Sequence, residues 1–228
     1  LNGYFWNGLV VRMLGEKGVE DLIAKLEEHK TFNYIPSAVR ALSDEEYTEA
    51  AKTIKKEFKV DLDEFLENSK YIDLAGYQFK NWLKMTNYIF PKKVFFSKSH
   101  ILGGIDLSGA VFTLGVDFYS SVSKNEVNFE KIVLFREAMF NQSSFEEIYM
   151  KNSFIEQYFK FCDVIIWGKT DFVDVRFPSF SEFSRTEFKE SVEFRKSTFG
   201  SLTDFSETIF GNRVDFSGAK FLGSIHFD

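Results

Sequence analysis

Catalysis or metal binding in this chain would have to draw on three histidines and one cysteine, and their spacing does not favour either. His29, His100 and His226 are too scattered for a metal site or a proton-relay triad. Cys162 has no histidine near it in sequence and reads as a surface or corner thiol rather than a nucleophile. Carboxylates recur at Asp106, Asp171, Glu193 and Asp215, which raises the question of calcium. One carboxylate per repeat, interspersed with Arg195 and Lys196, gives too few oxygen ligands, so this column reads as turn-stabilising hydrogen bonds. No G-x-x-x-x-G-K-[ST] phosphate loop is present, and Gly103-Gly104 falls on a repeat as a turn. The expectation is a protein that is not an enzyme, with no catalytic residue, no cofactor and no metal.

The elements that position these residues follow from composition and periodicity. The chain has 228 residues, 44% hydrophobic and 27% charged, enough for a sizeable core. A formal net charge of -6 and a pI near 5.3 argue against gripping nucleic-acid backbone or an anionic membrane through bulk positive charge. No direct nucleic-acid binding is expected. One cysteine excludes an intramolecular disulfide framework and a thiolate zinc site, and leans toward a reducing, cytoplasmic location. There is no apolar run long enough for a membrane span and no signal-peptide pattern. The chain begins with Leu1 rather than methionine, as a fragment or processed product would. The anomaly is 29 Phe, several times ordinary usage.

Residues 1–90 hold only six of those Phe, and their apolar positions recur at helical spacing, which predicts a small helical module or N-terminal cap. Val19, Leu22, Ile23 and Leu26 form one apolar stripe in a segment running to His29. Ser43-Asp44-Glu45-Glu46 reads as a capping box opening a helix to about Phe58, and a short helix is expected near Asp61–Asn68. Asp73 reads as the cap of a fourth helix through about Ile89, whose Tyr77, Trp82, Leu83 and Met85 would face other protein, with Pro91 as its stop. The 43–68 stretch lacks the basic face of a DNA-reading helix pair.

From residue 91 the pattern changes. Phe recurs at alternating steps of five and six: Phe172, Phe177, Phe183, Phe188, Phe194, Phe199, Phe205, Phe210, Phe216, Phe221, Phe227. The same ruler extends back through Phe161, Phe145, Phe140, Phe129, Phe118 and Phe112 to Phe96, with one six-step missing between Phe145 and Met150 and one polar position, Ser123. The residue two before each ruler position is small or β-branched, Phe159 excepted. One bulky and one small inward residue around one outward residue is the alternation of a very short strand followed by a tight turn. An α-helix would wander such a stripe round its surface.

Units such as Val214-Asp215-Phe216-Ser217-Gly218 and Ala219-Lys220-Phe221-Leu222-Gly223 resemble the pentapeptide-repeat family. The resemblance covers about residues 94–228. It implies a mainly β fold, a right-handed quadrilateral β-helix over 91–228 of about six coils, preceded by the helical module of 1–90. The expected core is Phe96, Phe112, Phe118, Phe129, Phe140, Phe172, Phe183, Phe194, Phe205 and Phe216. An extra residue in every second unit, including Gly104, Gly115, Tyr158, Phe180 and Leu202, departs from the family pattern and affects the corners.

On the outside, one face carries Val111, Thr113, Val133, Phe135, Phe154 and Glu156 as neighbours of inward residues, a largely apolar patch that turns polar at Arg176, Thr198 and Lys220. Such a patch is a candidate interface, to be covered by the N-terminal segment in cis or by a protein partner. The helices are also expected to cover Phe96 and Ile101 from below. Phe227 stands at the last coil, where a second copy could pair or a longer chain continue. The functional expectation is a non-catalytic scaffold for protein–protein interaction. The resemblance adds two alternatives: a DNA mimic acting on DNA gyrase or a related topoisomerase, or the binding segment of a longer multidomain protein. With 19 acidic and 16 basic residues over 91–228, a continuous negative face is not expected.

Overall fold

The computed structural model describes residues 71–228 apart from Pro91 and Thr113, and the helices expected within 1–70 lie outside the described residues. Strands of two or three residues follow one another without any helix among the described residues. They stack into four parallel ladders, one per side of a solenoid of about seven coils. The first face has eight strands, from Tyr71–Asp73 to Ser224–His226. The second runs from Gln78–Phe79 to Ile209–Phe210 and the third from Leu83–Lys84 to Val214–Asp215, seven strands each. The fourth has four strands, Ile89–Phe90 to Phe154–Ile155, and continues through a bridge at Arg176 to Thr198–Phe199 and Lys220–Phe221.

Register follows the Phe ruler. Partners in neighbouring coils lie 22 residues apart, as in Val94 with Val116 and Val122 with Ser144. Pairs that span the corner after Phe145 lie 21 apart, as in Val127 with Ile148 and Ala138 with Phe159. The missing six-step is therefore one corner shortened by a residue, absorbed without breaking any ladder.

The ruler residues point inward and stack along the bore. Phe96 and Phe118 lie 4.7 Å apart at 13°, Phe118 and Phe140 5.5 Å at 8°, and Phe183 and Phe205 4.7 Å at 10°. Full burial contributes about 1.5–3 kcal/mol per ring, which supports strands too short to persist alone. Phe112, Phe129, Phe172 and Phe194 are also fully buried, and Phe216 in the last complete coil is half-buried.

Corners after the first and third faces are tight turns closed by an N–H donating three residues back, as from Ser99 to the Phe96 carbonyl and Ala110 to the Leu107 carbonyl. Each puts its third residue at positive φ, which makes two columns of left-handed residues: Gly76, Lys98, Ser120, Gln142, Asp163, Arg185 and Glu207 on one corner, Asn87 to Gly218 on the other. The Asp or Asn just before the inward residue locks this turn. Asp106 Oδ1 accepts the Ser108 N–H, and Asp117, Asn128, Asp171, Asp204 and Asp215 do the same two residues on.

The helix expected over residues 73–89 is not there. These residues form a complete coil, with strands Tyr71–Asp73, Gln78–Phe79, Leu83–Lys84 and Ile89–Phe90, so among the described residues the coils reach back past residue 91 to Tyr71. The Asp73 side chain does accept a backbone N–H, from Ala75 at 3.0 Å, as a helix cap would, but it closes the first of the corner turns. Phe96 and Ile101 are covered by this coil: Phe79 pairs with Ile101 and packs 5.8 Å from the Phe96 ring.

Candidate functional site

Across four faces, the residue between the two inward positions of each strand should stand in solvent. On the first, second and third faces it does: not one of these outward residues is buried. The fourth face differs. Val111 and Val133 have no exposed surface, Phe154 retains 7%, and Phe135, just past the Val133 strand, retains 1%. The strands Val111–Phe112, Val133–Leu134 and Phe154–Ile155 thus bury both their inward and their outward residue. The expected exposed patch is withdrawn from solvent.

The strip has a sharp end. One coil beyond Phe154 its ladder partner is Arg176, which is exposed and holds its guanidinium 5.4 Å from the Phe154 ring centroid. Thr198 and Lys220 continue the column, half-buried and exposed. Thr113 lies outside the described residues. Parallel pairing in register, Val111 with Val133 and Val133 with Phe154, is what lines the apolar side chains up.

The residues weighed for chemistry are not brought together. His100 is an exposed outward residue of the second face and His226 of the first, while His29 lies outside the described residues. Cys162 is buried at a first-face corner, and burial next to Glu182 and Asp163 pushes its thiol up to about 11, far from a reactive thiolate. Of the carboxylate column, Asp106, Asp171 and Asp215 hold turns, and Glu193 pairs with Arg195 at 2.7 Å. Among the described residues no group of three or more His, Cys, Asp or Glu is placed to hold a metal. Ser123, the polar ruler position, is buried and satisfies itself by donating to the Asn125 carbonyl at 2.7 Å. Gly104 has φ +90, and a Cβ there would lie 2.3 Å from the Trp82 ring, so this glycine lets the Trp82 ring approach the corner closely.

Elsewhere the surface is charged and cross-linked between coils. Arg185 grips Asp163 one coil below through two hydrogen bonds of 2.7 and 2.9 Å, which holds the Asp163 carboxyl below its ordinary range. On the third face, burial and the neighbouring Glu147, Asp106 and Glu130 carboxylates raise Glu126. Tyr149 is pushed up to about 12 by burial and its hydrogen bond to Glu147.

One apolar surface was not singled out from sequence. Tyr158, Phe180 and Leu202 pair in register at the corner between the fourth and first faces; Tyr158 is 50% and Leu202 36% exposed. They are three of the extra residues of the six-steps, and their apolar run was the available signal. Phe227 stacks 5.2 Å from Phe205 as the last ring of its column and is largely exposed, like Leu222. No helix among the described residues is long and apolar enough to cross a membrane.

A family model described as pentapeptide repeats (9 copies) matches residues 183–228. No curated protein and no solved structure matches the chain significantly.

Proposed function

Because this chain belongs to the pentapeptide-repeat proteins, with the coil geometry matched in 183–228 continuing back to Tyr71, we propose that it works as a non-catalytic scaffold for protein–protein interaction. The fourth face of the rod is the seat for polypeptide. The supporting observation is the contrast between faces: among the described residues, outward positions are buried at Val111, Val133 and Phe154 alone, although outward Phe95, Met139 and Ile165 on other faces are apolar too. A stack of in-register strands is rigid, so a seat built on it presents a fixed surface and loses little entropy on binding.

The alternative of a rod that imitates duplex DNA has less support. Its acidic columns are interrupted by cations in contact with them, Arg195 on Glu193, Arg213 on Asp215 and Arg185 on Asp163.

The test is the double variant Val133→Asp, Phe154→Asp. Two carboxylates placed on the seat should change the protease-resistance pattern or the solution mass, while the strand signature of the rod persists. If both pattern and mass stay as in the unaltered chain, the fourth face seats nothing and the reading falls.

A further inference from the structure

We propose that the chain pairs with a second copy of itself along the corner between the fourth and first faces, the two rods side by side and parallel about a two-fold axis that runs along them. The contact surface is the ladder of Tyr158, Phe180 and Leu202, which lies apart from the seat on Val111 and Val133.

Three observations carry it. The first is an exposed apolar ridge free of charge. Tyr158 is 50% and Leu202 36% exposed, and the Tyr158 and Phe180 rings already pack 6.1 Å apart at 67°. The corner stretches that lead into the ladder, Phe177-Pro178-Ser179-Phe180 and Phe199-Gly200-Ser201-Leu202, hold no charged residue, whereas the diagonally opposite corner runs through Lys169, Lys189, Glu190 and Arg213. The ridge can therefore leave water without burying a charge.

The second is the charge that flanks it. In one row stand Arg176 on the fourth-face side, Phe180 at the corner and Glu182 on the first-face side. Arg185, Arg195 and Arg213 each pair with a carboxylate of their own rod. Among the described residues neither Arg176 nor Glu182 forms an ion pair, and Arg176 is exposed.

The third is symmetry. A two-fold axis parallel to the rods sets each row against its own copy and exchanges the two sides. Phe180 then meets the partner's Phe180, Arg176 lies opposite the partner's Glu182, and Glu182 lies opposite the partner's Arg176, an isologous contact with two ion pairs. An antiparallel pair centred on Phe180 would instead oppose arginine to arginine and glutamate to glutamate. The sequence cation, ring, anion across one row thus selects the parallel arrangement. Three ladder rows at about 4.8 Å span about 10 Å along the rod, a small contact of the weak, reversible class.

The test measures self-association of the full chain by sedimentation equilibrium from micromolar concentration upward. Arg176→Glu alone and Glu182→Arg alone each place like charges across the two-fold, and each should weaken the dimer at least about tenfold. An equimolar mixture of the two variants again opposes unlike charges at both contacts and should form heterodimers within about threefold of the strength of the original dimer. Rescue on mixing also separates a lost contact from a lost fold, since a variant that had not folded would not recover. A chain that stays monomeric at every concentration would overturn the proposal, as would a dimer that neither variant weakens. Weakening in both variants without recovery in the mixture would overturn the parallel pairing.

Discussion

The Ser121 hydroxyl donates to the Phe96 carbonyl 25 residues earlier, at 2.7 Å, while the Ser121 N–H reaches the hydroxyl of Ser143 in the coil above at 3.1 Å. Ser143 in turn donates to the Phe118 carbonyl. Similar hydroxyl links run from Ser153 to Phe129, Ser197 to Phe172 and Thr208 to Phe183. The small inward column therefore does more than make room for phenylalanine, since its hydroxyls fasten each coil to the tight turn of the coil below.

Ser121→Ala and Ser143→Ala should each lower stability by about 1 kcal/mol, the net contribution of a hydrogen bond. The two hydroxyls meet only through the Ser121 backbone, whose N–H still reaches Ser143 Oγ in Ser121→Ala, so the double variant should lose close to the sum. Urea unfolding midpoints of the four chains test this, and a loss well away from the sum would mean the links do not act independently.

Phe159 is the one large residue in that column. Its ring stacks on Phe161 at 5.5 Å and 9° and lies 5.7 Å from Phe140 and 5.3 Å from Phe183. Around it the parallel stack is lost: Phe161 meets Phe140 at 54° and Phe183 at 53°. Phe159→Ala should leave a cavity in the bore and cost about 3–5 kcal/mol, while Phe227→Ala, whose ring is 55% exposed, should cost a small fraction of that. Thermal unfolding of both variants gives the comparison.

The coil architecture was legible from residue 96 onward because inward Phe at steps of five and six admits one geometry. The coil of 71–90 obeys the same ruler, through Leu74, Phe79, Met85 and Phe90, and was hidden for two reasons. Tyr77 and Tyr88 fill its small column with large rings, and Tyr88 is buried there. Asp73 also makes the same local bond at a corner that it would make at a helix start. The fourth face was legible as apolar, since Val111, Val133 and Phe154 are outward by count. That such a patch would be covered was expected from its apolar character, but how far the cover extends was not legible, because burial of an outward residue depends on what lies across the face rather than on the strand's own pattern.

The left-handed columns give a pair of opposed outcomes. Lys131, at φ +58, carries a side chain where glycine is at ease, so Lys131→Gly should gain up to about 1 kcal/mol. Gly109 has φ +69, and a Cβ there would lie 2.1 Å from Asn87 Oδ1, so Gly109→Ala should lose more than about 1 kcal/mol. Chemical denaturation distinguishes them by sign.

The pH dependence at the alkaline end follows from Cys162 and Tyr149. The folded chain holds the Cys162 proton up to about 11 against an ordinary value of 9.0, so between these values the unfolded chain binds fewer protons. The stabilisation is whole below pH 9 and is lost as pH rises through about 11. Tyr149, raised from 10.0 to about 12, acts with the same sign somewhat higher. Urea midpoints should fall between pH 9 and 11, and Cys162→Ser should flatten that fall.

The central claim is that the outward side of the fourth face is covered while the other faces are open. In a Cys162→Ser background, single cysteines are placed at Val133, at Ile165 on the second face and at Arg176 past the end of the strip, and their rates of reaction with a bulky maleimide are measured on the folded chain. The account predicts Ile165→Cys and Arg176→Cys labelled rapidly and Val133→Cys at least a hundredfold slower, rising to the common rate in denaturant. Equal rates at all three positions in the folded chain would contradict it.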